Sequence, residues 1–337
     1  MGIETIKSDD GREFVPVPVG KMEPGVKLLS DIYLRVDGKF LKYKAKGDFL
    51  EAEKLDFFLF KDLRNIYIAL PELQAFMNWL RDLRTGVIDE VVEEIGEENR
   101  HLAEKREAIK EKVYDTFSDV EMDSGVAETL KEQVNEFIEE VKDLDISKAV
   151  LAKLIKHNDT MADHALNTAN VALFMGMILG HGNKQVLEDI YFGALFHDYA
   201  KTKIPSEVLL NKNSSKYNQM MQDHPKKGAS AVKRLENIRG EVIKIIEQHH
   251  ENFNGNGYPR KLKGDEIFGL AMIVNMANIF DNTVMENQHK SKKDRYRMGI
   301  KVLEYDKGKQ FDPDMVNRVL TGLKLAYGEF YIPPSDS

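Results

Sequence analysis

The sequence has no cysteine, and its apolar runs are short. Without thiols the chain cannot form a disulfide framework, a thiolate zinc site or a cysteine nucleophile. The longest apolar run, residues 171–179, is too short for a membrane-spanning helix, which needs about 20 apolar residues. The N-terminal residues lack the basic start and the apolar segment of a secretory signal. We therefore expect a cytoplasmic protein without a membrane segment.

Hydrophobic residues make up 42% of the chain and charged residues 31%, which is typical of a soluble globular protein. The net charge of -8 is unevenly spread. Residues 1–88 are neutral (14 basic, 14 acidic), residues 89–145 carry −13 (7 basic, 20 acidic) and residues 146–337 carry +5 (27 basic, 22 acidic). We interpret the acidic middle segment as solvated surface charge. The weakly basic last part suits a small anionic ligand and not a nucleic-acid polymer.

Residues 14–70 have the pattern of a small β-rich unit. The dipeptide Asp37-Gly38 separates two short runs of apolar and aromatic residues, which is a strong signal for a hairpin turn. The pattern predicts an extended segment at 14–19, a hairpin at 31–43, a helix at 50–63, a strand at 66–70 and a helix at 71–84.

The rest of the chain has the pattern of helices. Residues 87–145 contain no proline and are rich in helix-forming residues. From residue 146 onward, glycines and prolines separate apolar segments of helical length, and no segment predicts a strand. The helices predicted there span 147–157, 162–180, 184–199, 215–236, 239–249, 265–286, 291–305 and 312–326.

The predicted fold class is α+β overall, because a length of 337 residues and the change of pattern along the chain indicate more than one unit. We predict a small β-rich N-terminal domain (1–86), an acidic helical connector (87–145) and an all-α C-terminal domain (146–337). The N-terminal domain carries no chemical motif, so we expect it to serve regulation or protein contact.

Several histidines follow apolar helices in the C-terminal part. His197 and Asp198 come directly after the apolar run 191–196, and His249 and His250 end another apolar helix. A charged group at the buried end of a helix needs a partner or a metal ion. A single histidine is more often structural than a ligand, so the question is whether several converge.

Asp281 is the most informative single residue. It shares one face of an apolar helix with Val274, Ala277, Val284 and Met285. A buried carboxylate is costly unless it is paired or bound to a metal. Two interpretations stay open for this residue alone, a salt bridge between helices and a metal ligand.

His164 begins the long apolar helix, and His224 precedes Pro225. Each of these histidines alone is readily explained as structural. Taken with the residues above, they complete a set of nitrogen and oxygen ligands of the kind that holds a pair of transition metals. The candidate metal ligands are His164, His197, Asp198, His224, His249, His250 and Asp281.

The motifs around these residues resemble those of a known family. Residues 197–201 (His-Asp-Tyr-Ala-Lys) resemble the H-D-x-x-K core of the HD superfamily of metal phosphohydrolases. Residues 249–259 resemble the long H-H-E-x-x-D/N-G-x-G-Y-P signature of its HD-GYP subfamily. His224-Pro225 is similar to the middle histidine motif, and 278–281 to the closing aspartate motif. The resemblance covers residues from about 147 to about 325, and residues 14–85 more weakly resemble the small domains that precede some HD-GYP modules.

The resemblance implies an all-α phosphodiesterase that hydrolyses the bacterial second messenger cyclic di-GMP to linear pGpG, GMP or both. It assigns His164, His197 and Asp281 to one metal ion. It assigns His224, His249 and His250 to a second ion, with Asp198 as the bridge. Members with a third metal carry a glutamate where this chain has Thr160, so we expect two divalent transition metals. The ligand set contains no thiolate and suits iron first and manganese second.

The resemblance also suggests how substrate could be held. Asp198 and Lys201 are the predicted catalytic residues, since Lys201 lies one turn beyond His197 and could steady charge on a phosphate oxygen. The alternative for Lys201 is a surface lysine at a helix end. Gly257 would let the backbone approach the ligand. Tyr258 would stack on guanine or bind phosphate, or else cap the core.

One departure from the family pattern keeps a second function open. The family usually has R-P-Y after the closing aspartate, and this chain lacks it, with His289 in the place of the tyrosine. Lys290 and Lys293 keep positive charge near the place where the family binds phosphate or guanine. Lysine lacks the two-pronged hydrogen bonding of arginine, so substrate affinity or choice is affected. The alternative is therefore a weakly active or inactive module that binds cyclic di-GMP or docks on a diguanylate cyclase (GGDEF) domain. A hydrolase for another phosphoester is a third possibility.

Overall fold

The computed structural model describes residues 5–61, 63–118, 124–145, 149–155, 160–209 and 211–327. The predicted helix 147–157 falls largely outside the described residues, and only its part at 149–155 can be compared. Among the described residues, no helix is both long and apolar enough to cross a membrane.

The N-terminal part contains an antiparallel five-stranded sheet with the order β1-β2-β5-β3-β4. Asp37 and Gly38 have positive φ angles of 49° and 80°, as the tight turn between β3 and β4 requires. The predicted hairpin, extended segment and strand are confirmed. The strands are β1 (Ile6–Lys7), β2 (Glu13–Pro18), β3 (Ile32–Val36), β4 (Lys39–Lys44) and β5 (Asn65–Ala69).

Helices make up most of the remaining described chain. Beyond residue 70 the described residues contain no strand, and their one bridge joins Lys307 and Phe311. The helices are α1 (Ala52–Phe60), α2 (Leu73–Ile95), α3 (Arg100–Phe117), α4 (Ser124–Val141), α5 (Val150–Lys153), α6 (Met161–Ile178), α7 (Lys184–Phe196), α8 (Ser206–Leu209), α9 (Ser215–Val232), α10 (Gly240–Gln248), α11 (Gly269–Glu286), α12 (Lys292–Tyr305) and α13 (Pro313–Ala326).

The predicted helices of the C-terminal part are confirmed, with shifts of a few residues at their ends. One prediction in the N-terminal part was wrong, since the helix expected to end at Arg84 continues to Ile95. It ends only at Gly96, whose φ of 89° suits glycine and stops the helix. Helix α2 therefore crosses residue 86, where a domain boundary was predicted. The division into three units stays a prediction.

Helix α6 is the centre of the helical part. It is apolar on nearly all sides and packs against α7, α11 and α3. Helix α10 packs against α7 and α11, and α9 packs against α10. The C-terminal end of α7 and the N-terminal end of α6 thereby come to one side of the core.

The acidic middle segment contains buried charges, and the interpretation of all its charges as solvated was wrong. Arg106, Glu107 and Lys110 of α3 are at most 5% exposed because α3 packs against both α6 and the turn at Val19–Lys21 that follows β2. Arg106 donates to Glu107 Oε1 (2.5 Å) and Asp163 Oδ1 (3.2 Å). Lys110 Nζ lies 2.9 Å from Glu23 Oε1 and 3.2 Å from Asp163 Oδ2. These five residues form one buried ionic network that joins α3, α6 and the segment between β2 and β3.

Replacing Arg106 with Met should lower the free energy of unfolding by about 3–5 kcal/mol, because Glu107 loses the buried cation it is bonded to and Asp163 loses one of its two cationic contacts. Urea unfolding followed by circular dichroism measures the change. Arg81→Met is the matched control, since the Arg81 side chain is 71% exposed and its replacement should cost less than about 0.5 kcal/mol. Equal losses in the two variants would contradict a stabilising role for the network.

Candidate metal centre

Five helices bring the seven candidate ligands together on one side of the helical core. His164 lies in the first turn of α6, and Asp281 lies in the last turns of α11. The pair His197-Asp198 directly follows α7, and the pair His249-His250 directly follows α10. The seventh residue is His224, in the middle of α9.

Asp198 is at the centre of this group. Its Oδ2 atom lies 3.8 Å from His164 Nε2 and 3.4 Å from His197 Nε2. Its Oδ1 atom lies 3.1 Å from His224 Nε2 and 3.7 Å from His249 Nε2. The two oxygens of one carboxylate therefore face two separate pairs of histidines.

The donor atoms of these residues are close enough for cation binding. The atoms of one group lie within 4.8 Å of one another, and this group consists of Asp198, His224, His249 and His250. The atoms of a second group meet the same limit, and it consists of His164, His197 and Asp198. Asp198 belongs to both groups.

Three of the rings are oriented by their own helices. Nδ1 of His197, His224 and His249 lies 2.6, 2.5 and 2.8 Å, respectively, from the carbonyl oxygen three residues earlier. A carbonyl oxygen can only accept, so Nδ1 carries the proton and the lone pair of Nε2 faces the site. This is the tautomer that binds a metal through Nε2.

The local sequence explains why these carbonyl groups are available. His197 and His249 cap the C-terminal ends of α7 and α10, where a helix leaves its last carbonyls without backbone partners. His224 lies inside α9, but Pro225 follows it and has no N–H to donate to Met221. The His224 ring makes that hydrogen bond instead.

The arrangement fits a divalent transition metal. His224 Nε2 and His249 Nε2 lie 3.2 Å apart, and two lone pairs at this distance repel each other unless a cation or a proton lies between them. Three further buried atoms have no hydrogen-bond partner, namely His197 Nε2, His250 Nε2 and Asp281 Oδ1. Buried polar atoms are nearly always satisfied, so these orphans indicate a missing ligand. Imidazole nitrogen and carboxylate oxygen are suitable donors for iron or manganese.

Asp281 combines both interpretations that its sequence position left open. Its Oδ2 atom pairs with His164 Nδ1 at 2.7 Å, which links α11 to α6. Its Oδ1 atom is buried without a partner. Burial disfavours the charged form of His164, but the hydrogen bond to Asp281 outweighs it and raises the pKa of this histidine.

The protonation states of the other residues suit metal binding. Four histidines have a pKa below the ordinary value, chiefly because burial disfavours the charged ring. They are His197, His224, His249 and His250. Burial would raise the pKa of Asp198, but its contacts with His197 and Lys201 hold that pKa well below the ordinary value. Neutral imidazoles and an ionised carboxylate are the forms that bind metals.

Lys201 lies beside the group, as the sequence predicts. Its Nζ atom donates to Asp198 Oδ2 at 2.6 Å, and its side chain is 23% exposed. With His164 and Asp198 it lines an open cavity of about 630 Å³. A ligand in this cavity can therefore reach both the candidate metal ligands and a lysine.

The structure does not bring the other four predicted substrate-binding residues to this cavity. None of Gly257, Tyr258, Lys290 and Lys293 is among its described lining residues. For Gly257 the reason is local, because a Cβ there would lie 2.3 Å from the backbone nitrogen of Asn252. Glycine is needed there because the loop packs closely on itself, and the predicted contact of Gly257 with a ligand stays a prediction.

Tyr258, Lys290 and Lys293 are absent from the cavity lining for different reasons. The Tyr258 ring stacks on the His250 ring, with centroids 4.7 Å apart, so it packs against a candidate ligand. This arrangement matches the alternative of an aromatic residue that covers the interior. Lys290 and Lys293 are exposed residues that follow the end of α11 at Glu286.

The sequence analysis missed the cavity wall that α1 provides. Phe57 and Phe60 line the cavity, as does Lys212 of the loop between α8 and α9. A signal was present, because Phe57 and Phe60 are three residues apart and share a helix face. Phe58 lies on another face and is fully buried. One aromatic face of α1 is enough for packing in the core, so the second face, formed by Phe57 and Phe60, indicated a contact outside the core.

Comparisons with known proteins agree with this geometry. Residues 149–315 match the sequence model of the family described as "HD domain". The protein named cyclic di-GMP phosphodiesterase response regulator RpfG, from Xanthomonas campestris, is 30% identical over 189 residues, or 53% of this chain and 49% of that protein. A cyclic di-GMP phosphodiesterase of Thermotoga maritima is 28% identical over 196 residues, or 57% of this chain and 53% of that protein. The chain thus spans about half the length of these curated relatives.

A solved structure extends the similarity to the N-terminal part. The protein described as "Bd1817, a HDG"Y"P protein from Bdellovibrio bacteriovorus" has a TM-score of 0.62 and 21% sequence identity to this chain. The match covers 92% of this chain and 99% of that chain, so the two proteins share a fold. Residues 149–315 thus match the HD-domain family, and the motifs that they carry resemble those of its HD-GYP group.

Proposed function

We propose that this chain is a metal-dependent phosphodiesterase that hydrolyses cyclic di-GMP to linear pGpG, GMP or both. The observation that carries the proposal is the position of Asp198, whose two oxygens face two different pairs of histidines beside an open cavity. The names of the curated relatives support the substrate.

Two divalent metal ions, iron first and manganese second, are the proposed cofactors. His164, His197 and Asp281 would hold one ion, and His224, His249 and His250 the other, with Asp198 between them. When bound, such a pair supplies a hydroxide nucleophile at neutral pH and offsets charge on the phosphate. Thr160 supports the number two, because its hydroxyl caps α6 by accepting from Asp163 N (3.1 Å) and lies where a third-metal glutamate would be.

Lys201 is the proposed contact to the substrate phosphate. It already donates to Asp198, so its ammonium group lies at the edge of the metal site and in the cavity at once. From there it can hydrogen-bond a non-bridging phosphate oxygen, orient the diester and stabilise the charge that grows on it during attack.

The second candidate function is a sensor or adaptor that binds cyclic di-GMP, or docks on a diguanylate cyclase (GGDEF) domain, with little turnover. The positions of Lys290 and Lys293 favour it, because these lysines are the positive charges that the prediction placed near the site of the missing R-P-Y, and they do not line the cavity. Without the contacts that R-P-Y would make, the bound substrate would be oriented less precisely for reaction.

Turnover of cyclic di-GMP by anaerobically purified, iron-loaded protein separates these functions. A linear dinucleotide or GMP product supports the phosphodiesterase. Tight binding without a linear product favours the sensor. Hydrolysis of a different nucleotide in a parallel panel would assign the site to another phosphoester.

Metal analysis of the anaerobically purified protein should find about two equivalents per chain. Asp198→Ala should lose most of this metal, because one carboxylate serves both ions in the proposed arrangement. Asp223→Ala is the matched control, since Asp223 is an exposed carboxylate on the helix of His224 and pairs only loosely with Lys227. Full loading of Asp198→Ala, in protein with an unchanged circular dichroism spectrum, would refute the bridging role.

Lys201→Met should lower kcat for cyclic di-GMP by about 10²–10³-fold, as does the loss of one donor to transition-state charge elsewhere. Its metal content should not change, because a lysine ammonium group is not a ligand. Steady-state kinetics with metal analysis of the same samples measure both quantities. Lys227→Met, at an exposed lysine, should match the unsubstituted protein. A kcat of Lys201→Met within threefold of that of the unsubstituted protein would show that Lys201 does not contribute to the reaction.

A further inference from the structure

Helix α1 of the N-terminal part forms one wall of the cavity at the metal centre. The cavity of about 630 Å³ has the size of a small-molecule site. One side of it carries His164, Asp198 and Lys201. The side contributed by α1 consists of Glu53, Asp56, Phe57 and Phe60.

This wall is fixed to the helix that carries a candidate metal ligand. Asp56 Oδ1 accepts from the backbone N–H of Met161 at 2.9 Å, in the first turn of α6 and three residues before His164. The carbonyl oxygen of Leu55 accepts from the Tyr114 hydroxyl of α3 at 2.5 Å. Because these bonds come from two helices, α1 cannot shift far from the metal centre while they hold.

The two aromatic rings of the wall are available to a ligand. Phe57 is 37% exposed, and Phe60 is half-buried. The Lys61 ammonium group lies over the Phe57 ring, 5.7 Å from its centroid, so a stacked ligand would take the opposite face. The core beneath α1 is already filled by Leu55, Phe58 and Leu59, which are at most 1% exposed. Phe57 and Phe60 are therefore not needed to complete that core.

The chemistry of the cavity changes from one side to the other. Lys201 and Lys212 provide positive charge on the helical side. The α1 side provides two aromatic faces and the exposed carboxylate of Glu53. A ligand that matches both sides carries an anionic group at one end and a flat ring with N–H donors at the other. A guanine nucleotide has these features.

We propose that α1 is the base-recognition wall of the site, a role that rests on the proposed function. Phe57 and Phe60 hold one base of the dinucleotide by stacking, while its phosphate faces the metal centre and Lys201. Glu53 accepts from the N–H groups on the pairing edge of guanine. Adenine has a ring nitrogen acceptor on that edge, so the carboxylate disfavours it.

The first test is Phe57→Ala, with Phe49→Ala as the matched control. Phe49 is an exposed phenylalanine of the same N-terminal part (51% exposed) and does not line the cavity. Phe57→Ala should raise KM for cyclic di-GMP about tenfold or more. The Ki of inorganic phosphate, an inhibitor that probes only the metal end of the cavity, should be the same for Phe57→Ala and the unsubstituted protein. Phe57→Tyr should restore the affinity, because it restores the aromatic face.

The second test is base selectivity. Glu53→Gln should reduce the preference for cyclic di-GMP over cyclic di-AMP at least fivefold, because an amide can pair with either edge. The same preference in Glu53→Gln and the unsubstituted protein would remove Glu53 from base reading.

Three results would overturn the stacking role. The first is a KM of Phe57→Ala within twofold of that of the unsubstituted protein. The second is an equal rise of KM in Phe49→Ala. The third is a change in the Ki of phosphate for Phe57→Ala that matches its change in KM. If the unsubstituted protein turns over no cyclic di-GMP, the phosphodiesterase proposal fails. The same variants are then compared by equilibrium binding of cyclic di-GMP to metal-loaded protein, with the same fold-changes as criteria.

Discussion

The burial of Asp198 among four imidazole rings is the constraint on which the site depends. An ionised carboxylate and uncharged rings in an apolar helical core are costly unless each polar atom has a partner. Nδ1 of His197, His224 and His249 finds that partner in its own helix, in two cases because the helix ends there and in the third because of Pro225. The Nε2 atoms of these rings face one another and the Asp198 carboxylate. Lone pairs and a negative charge at such short distances are stable only around a positive charge.

The first turn of α6 is held from three directions, and this makes the N-terminal part relevant to the site. Asp56 of α1 binds the backbone at the start of the turn. Arg106 of α3 binds Asp163 on one side of it, and Asp281 of α11 binds the neighbouring His164 on the other. The position of His164 is therefore set partly by residues far outside the HD domain. A change in α1 or α3 would reach the metal centre through one helical turn and not through a long chain of contacts.

The sequence revealed the parts of the site that local pattern determines. Polar residues directly after apolar runs predicted where the ligands would converge, since a helix end in a core must satisfy its polar groups. Long-range relations were not predictable in this way. Nothing near Asp56 indicates that it meets Met161, 105 positions later, so the cavity wall went unseen. Charge counts could not show which face of α3 carries Arg106. Lys290 lies beyond the end of a helix, where periodicity no longer predicts a position.

The electrostatics of the site bear on what it can select. The metal end offers two carboxylates, one lysine and, once loaded, the charge of the ions, so its net charge is positive and it attracts phosphate from any nucleotide. Attraction of this kind cannot distinguish one base from another, because every phosphodiester carries the same group. Discrimination has to come from contacts at the far end of the ligand, and four of the described residues that line the cavity belong to α1. The chain departs from the family pattern in the segment after Asp281, and the proposed role of α1 would supply base contacts in place of the family's R-P-Y. In the proposal made above, the N-terminal part is a component of the site and not only its regulator. Its contact with Met161, like that of α3 with Asp163, also supports the helical turn that carries His164, so a change in this part is expected to affect both metal binding and dinucleotide binding.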